Sequence, residues 1–235
     1  MPDWPAPGRR HPGRGSPSYA IRAPLAAWLR VEAEAAAARL PHGYRLLDVG
    51  CGVKPYYPFF ADGASEFVGV DVDNPGADLE GAAESLPVPD ASFDLVLCTQ
   101  VLEHTNEPAR AVRELRRVVA PGGRVLASTH GVQVYHPAPV DLWRWTHAGL
   151  ERLFRENADW SSLTVAPGSG TTACLGALVS VYVDLLAQRA HVRPLGRPIV
   201  AAVNLLAEAI DRTSSRLREP GPGTLFANYH VTAVA

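Results

Sequence analysis

The feature that most constrains this chain is an apolar run, RLLDV at 45–49, that passes directly into the turn GCG at 50–52. Glycines at such a turn let the backbone reverse tightly and approach a ligand, and a helix start just beyond it can receive an anionic group. A second apolar run, EFVGVD at 66–71, ends in Asp71. That is about the twenty-residue distance at which an acidic strand end meets ribose hydroxyls in nucleotide-binding α/β folds. Strand, glycine turn, helix and acidic strand end, in this order, predict a site for a nucleoside-bearing ligand.

Two further runs, FDLVLCT at 93–99 and GRVLAST at 123–129, also lack polar alternation, as strands covered on both faces do. Between them Val112, Leu115 and Val119 recur at helical spacing, Arg110, Arg113 and Arg117 lie around the other side, and Pro121–Gly122 is expected to stop the helix. Residues 22–40 read as an alanine-rich helix ended by Pro41 and Gly43. A further helix over 146–157 opens with Thr146 as N-cap. SSLTVAP and the terminal TLFANYHVTAVA read as strands, with two amphipathic helices between them over about 172–213. Repeated strand and helix predict an α/β, doubly wound, mostly parallel sheet with right-handed crossovers.

Composition narrows the functional classes. Hydrophobic residues make up 47% and charged residues 20%, enough apolar material for a sizeable core. A net charge of -2 gives no basic stripe, so no nucleic-acid partner is expected. Cys51, Cys98 and Cys174 are too few and too scattered for a disulfide framework, which predicts a cytoplasmic, reducing setting. No run of 18 uninterrupted apolar residues occurs, so stable membrane insertion is not expected. Residues 1–18, rich in Pro, Gly and Arg, are expected to form a flexible arm ahead of a single domain over 19–235. Lys54 is the sole lysine and stands just before Pro55, where a dinucleotide fingerprint would place its third glycine.

An acidic residue before the glycines, with no third glycine after them, resembles class I S-adenosylmethionine-dependent methyltransferases. The likeness extends from VGVDVDN through AESLPVPDASFDLVLCTQVLEH to VRELRRVVAPGGRVLAST. It is similar to the small-molecule subgroup related to ubiquinone-biosynthesis enzymes. The resemblance implies a Rossmann-like, seven-stranded sheet with a helical cap inserted before the last strand, and S-adenosylmethionine as cofactor. It implies cofactor contacts from Asp48, Gly50, Cys51 and Gly52 near the methionine portion and from Asp71 at the ribose. Val72, Glu84 and Ser85 are implied at the adenine, and Gln100 over the cofactor. Family members often carry Asp where this chain has Ala82, so no single adenine contact is fixed.

Methyl transfer to a hydroxyl needs alignment, exclusion of water and removal of a proton. Ligands of such sheets sit at the carboxyl ends of the strands. His130, at the end of the fifth strand, is therefore the first candidate base, with His136 and Asp141 in the following loop. A second reading has these residues only ordering the loop, with Asp141 pairing Arg144. No metal site is expected, because His130, His136, Asp141 and His147 match no tight ligand spacing and include only one carboxylate for a hard cation. Trp143 and Trp145 suit either a substrate wall or core packing. The expected reaction is O-methylation of a small molecule in secondary metabolism or glycan tailoring. N- or C-methylation, and a cofactor-binding relative that has lost methyl transfer, are the alternatives. The cap helices are read as a lid, as a homodimer interface, or least favourably as a membrane contact.

Overall fold

The computed structural model describes residues 4–137 and 139–235. Its elements run α1 (Pro7–Arg10), α2 (Tyr19–Arg39), β1 (Tyr44–Val49), α3 (Tyr57–Phe60), β2 (Ala64–Asp71), β3 (Leu79–Glu80) and β4 (Phe93–Thr99). A 3-10 turn, Leu102–His104, precedes α4 (Pro108–Val118), β5 (Val119–His130), α5 (His147–Asn157), β6 (Ser162–Pro167), α6 (Thr171–Arg189), α7 (Arg193–Arg212) and β7 (Asn228–Val234). The strands form one sheet in the order β3-β2-β1-β4-β5-β7-β6, parallel except that β7 runs antiparallel to both β5 and β6.

Both faces of the central strands are covered, which is why their sequences carry no polar alternation. One face packs Leu46, Leu95, Leu97 and Leu126 under α2 and α3. The other packs Leu47, Val96, Val125 and Val231 under α4 and α5. On α4 the buried stripe is Ala111, Val112, Leu115 and Val118. Arg117, on the rim of that helix, bonds Glu114, Asp90 and the carbonyls of Leu86 and Val88. The order reverses beside β1, where β2 lies on one side and β4 on the other, so the carboxyl ends of these strands open a crevice.

Three expectations change. The helix before β5 ends at Val118, and Val119 starts the strand, which slips register against β4 between Val119 and Arg124 around Gly122 at φ +76°, whose N–H bonds Ala235 O. β3, two residues long, carries too little pattern to be read from sequence. The arm, expected to be flexible over 1–18, is docked wherever it is described. Arg10 is 5% exposed and donates to the carbonyls of Trp4, Pro5 and Pro55. Trp4 Nε1–H donates to Lys54 O at 2.8 Å, and its ring stacks on Tyr57. Asn204, on α7, donates to Arg14 O at 2.7 Å. The arm lacks apolar area of its own, yet it satisfies carbonyls that the finished domain presents. Residues 1–3 of that expectation lie outside the described residues.

The cap, α6 and α7, lies between β6 and β7 as expected. Its helices pack through small residues, Gly176 against Ala207 and Gly196 against Ala187. Outward they leave Leu175, Val179, Tyr182 and Leu186 of α6 and Leu195, Ile199, Leu206 and Ile210 of α7 exposed. α6 is long and apolar enough to cross a membrane by length and composition, with a third of the qualifying window buried within the fold.

Candidate active site

The turn after β1 is built by backbone strain that only glycine tolerates cheaply. Gly50 has φ +66°, and a Cβ there would stand 2.3 Å from Val101 Cγ2. Gly52 has φ +51°, and a Cβ there would meet nothing within 4 Å, so its open side faces space. The turn is tied to β2: Gly50 N–H and Cys51 N–H donate to Val70 O, and Gly52 N–H donates to Asp71 Oδ2 at 2.7 Å. Val72 N–H holds the other Asp71 oxygen at 2.8 Å. The Asp71 carboxylate is thus fixed in orientation, with lone pairs left for a ligand.

Lys54 does not point into this turn. Its ammonium bonds Asp78 Oδ2 at 2.6 Å, and the same oxygen accepts Gly69 N–H. Its stem crosses Gly69 so closely that a Cβ there would lie 2.5 Å from Lys54 Cε. A thin alkyl stem passes where a guanidinium plane would crowd the strand, which gives lysine a reason here.

A cavity of about 440 Å³ opens over the carboxyl ends of β1, β2, β4 and β5. Among the expected residues, Gly50, Gly52, Asp71, Val72, Gln100, His130 and His136 line it. Gln100 has φ +58°, and its side-chain amide donates to Ser128 Oγ and Asn228 Oδ1, both at 3.0 Å, leaving its carbonyl oxygen as an acceptor. A non-glycine residue held in the left-handed region is the kind of strain that collects at ligand sites.

Four expected cofactor residues are not in the wall. Asp48 lies buried behind the turn, and burial raises its carboxyl to about 7 even though Lys54 and Arg9 pull it down. Cys51 is buried beside it, its thiol pushed up to about 12 by burial. Glu84 instead accepts Asn106 N–H at 2.8 Å, anchoring the approach to α4, and Ser85 is exposed next to it. Asp141 is also outside the wall. It takes Arg144 in an ion pair and His136 N–H at 2.7 Å, and the guanidinium holds its carboxyl down at about 2. Trp143 and Trp145 stack on each other away from the cavity, with Trp143 Nε1–H on Thr105 O.

His130 departs from the expected ordinary imidazole. It is buried, and desolvation, aided by the nearby Arg144 guanidinium, holds its pKa down at about 3. Its Nε2 lies 3.3 Å from Oε1 of Glu103, a residue the sequence reading passed over. Glu103 is fully buried, accepts Thr129 Oγ1–H at 2.8 Å, and burial raises its carboxyl to about 7. The two groups approach without hydrogen-bond geometry, and Glu103 Oε1 has no hydrogen-bond partner among the described residues. The only sequence signal for Glu103 was an acidic residue within a few positions of the end of β4. The cavity also receives Arg9 and Arg22 from the docked arm and α2. No cluster suited to a metal occurs among the described residues.

A family described as "Methyltransferase domain" matches residues 47–127, from β1 through most of β5. Over these residues the chain is similar to class I S-adenosylmethionine-dependent methyltransferase domains. A methyltransferase of Bacillus subtilis named YcgJ is 32% identical over 103 residues, 37% of this chain and 41% of that protein. A ubiquinone biosynthesis O-methyltransferase of Paraburkholderia phymatum is 35% identical over 103 residues, 37% of this chain and 44% of that protein. The chain thus spans about two fifths of the length of these relatives. In fold, the likeness extends further. The crystal structure of YcgJ aligns with a TM-score of 0.51 at 18% identity over 88% of this chain and 97% of that one. An S-adenosylmethionine-dependent methyltransferase from Archaeoglobus fulgidus gives 0.54 at 11% identity over 89% and 94%. The [4+2]-cyclase SpnF gives 0.51 at 21% identity over 87% and 80%.

The residues present fit the cofactor that such a domain implies. The open face of Gly52, the oriented Asp71 carboxylate and the exposed Val72 side chain adjoin one cavity, offering backbone, an anionic acceptor and an apolar surface together.

Proposed function

We propose that this protein methylates the hydroxyl of a small molecule, using S-adenosylmethionine, with His130 receiving the acceptor's proton. The observation that carries the reading is the continuity of one cavity from the Gly50–Gly52 turn and Asp71 to His130. Bound there, the cofactor supplies a methyl group activated by its sulfonium. The chain's own residues do the rest. Asp71 holds the ribose hydroxyls, Gly50 and Gly52 permit close backbone approach, Val72 covers an apolar face, and Gln100 closes over the site. The cap, through Ala177 and Val181, shields the same cavity from water. Burial keeps His130 neutral and also opposes its protonation, so its role as base depends on the charge that develops on the bound acceptor.

Secondary metabolism or glycan tailoring in the cytoplasm suits this acceptor class, and the three free, buried cysteines agree with a reducing setting. The exposed stripes of the cap follow a four-three-four spacing, Leu175, Val179, Tyr182, Leu186, which suits helix pairing with a second copy. Calorimetry with S-adenosylmethionine, followed by transfer of labelled methyl groups into a metabolite extract, tests the central reading. A labelled product resistant to mild base and sensitive to His130→Ala is expected. Cofactor binding without any labelled product would favour the second reading, a cofactor-binding relative without methyl transfer, a choice prompted by the fold's likeness to a protein titled a cyclase.

A further inference from the structure

The seam between α6 and α7 fixes which way the rest of each helix looks. Gly176 meets Ala207 and Gly196 meets Ala187, so the two helices run antiparallel. At about 100° per residue, Leu175, Val179, Tyr182 and Leu186 stand a quarter turn to one side of the α6 seam. Leu195, Ile199, Leu206 and Ile210 stand the same quarter turn from the α7 seam. In an antiparallel pair that rotation carries both stripes to one side, opposite Ala177 and Val181 in the cavity wall, where they form a single two-helix face. The eight side chains are 38–67% exposed, and at about 100 Å² apiece they leave on the order of 800 Å² of apolar surface bare, more than the largest patch of a typical monomer. No carboxylate shares the face. Asp184 and Glu208 lie on the opposite side of their helices, held by Arg193 and by Arg14 and Arg212. Asp211 is turned inward to the N–H groups of Thr172 and Ala173.

We propose that this face seats on an anionic lipid bilayer, with the apolar stripes at the headgroup boundary and the arginines at its ends against lipid phosphates. Area alone admits another occupant, because about 800 Å² is what each partner buries in a standard dimer, and the four-three-four spacing suits paired helices. Charge separates the two. From 171 to 219 the cap holds six arginines and four carboxylates, in a chain whose net charge is -2. Arg189, at the turn between the helices, and Arg216 and Arg218, past the far end of α7, are exposed and take no carboxylate among the described residues. A two-fold axis between two such faces brings like ends together or opposite ends together, and in both arrangements guanidinium meets guanidinium. An anionic headgroup layer opposes both ends at once. In the sequence this contact ranks last because the polar faces of the helices hold few bases; the structure sets the free arginines at the ends of the face instead. The contact is peripheral. Ala173, Cys174 and Ala177 of α6 are buried against Ala20 and Ile21 of α2, so the helix lies along a bilayer surface and does not cross it.

Flotation of the full chain with lipid vesicles tests this with neither cofactor nor acceptor present, so the result is independent of the methyl-transfer reading. Vesicles of mixed phosphatidylglycerol and phosphatidylcholine should carry the protein at least about tenfold more strongly than phosphatidylcholine alone, and high salt should weaken that preference. Leu186→Gln combined with Leu206→Gln removes apolar area from both stripes at exposed positions. That pair should cut binding by about tenfold or more while the thermal midpoint stays unchanged. Arg189→Gln combined with Arg218→Gln should lower the preference for phosphatidylglycerol and leave binding to phosphatidylcholine as it was. Absence of flotation with the anionic vesicles, or flotation indifferent to the leucine pair, would overturn the proposal. So would light scattering that shows a dimer which the leucine pair returns to monomer and which vesicles leave intact, since a second copy would then cover the face.

Discussion

Replacing Gly50 by alanine should separate two costs at the turn that carries the site. The added Cβ would lie 2.3 Å from Val101 Cγ2, well inside any real contact, and Val101 has few rotamers to move into. Such overpacking costs about 1–3 kcal/mol. The left-handed backbone at φ +66° adds about 1–2 kcal/mol for any residue with a Cβ. Gly50→Ala should therefore lose roughly 2–5 kcal/mol in denaturant titration, or roughly 5–15 °C in thermal midpoint for a chain this size. Adding Val101→Ala removes the clashing methyl but leaves the backbone strain, so the double variant should recover part of the loss and no more. Gly52→Ala is the contrast. Its Cβ meets nothing, so only the backbone cost of about 1–2 kcal/mol is expected in stability, while cofactor affinity should fall because the methyl occupies the open side of the turn. A Gly50→Ala protein within about 0.5 kcal/mol of wild type, or a double variant no better than the single, would refute the reasoning.

Asp71→Ala should weaken S-adenosylmethionine binding by about 10–100-fold in calorimetry, since a hydrogen-bonded charged acceptor is lost together with its hold on Gly52. Arg10→Ala should free the arm with little change in the global unfolding midpoint, seen as faster tryptic cleavage at Arg9 and Arg14. Asp48 has a carboxyl raised to about 7 in the fold, against about 3.9 unfolded. Between those values the folded state keeps a proton that the unfolded state releases, so stability falls as pH rises from about 4 to 7 and levels off above. Asp48→Asn should reduce that slope and gain on the wild type by on the order of 3 kcal/mol at pH 7 relative to pH 4. Part of the slope persists because burial raises Glu103 in the same direction.

The parts of the fold that could be read in advance are those where one local pattern has one physical meaning. Unalternated runs such as 45–49 and 93–99 are strands because both faces are covered, and GCG after a strand is a ligand turn because its backbone has little alternative. Glu84 and Ser85 were assigned to the cavity by likeness alone, and the structure puts them elsewhere because Glu84 holds the entry to α4. Glu103 was missed for the opposite reason. It stands against His130, 27 positions away on the neighbouring strand end, and no local spacing encodes that approach. Lys54 was noticed as an oddity of composition, and only the threading of its stem across Gly69 to Asp78 explains it. The arm was misjudged because its composition was weighed alone, whereas its partners are carbonyls contributed by distant residues.

That docking carries a consequence for how the molecule is assembled. Residues 4–14 are here among the last able to settle. Trp4 and Arg10 wait for Lys54 and Pro55, and Arg14 waits for Asn204, 190 positions later. The floor of the cavity is complete once β1 to β5 pair, but its roof closes only when the arm meets the cap. Because the latch is a guanidinium on neutral carbonyls rather than on carboxylates, neither acidification nor moderate salt removes its acceptors. A tag fused ahead of Trp4 would therefore sit beside the cofactor turn itself.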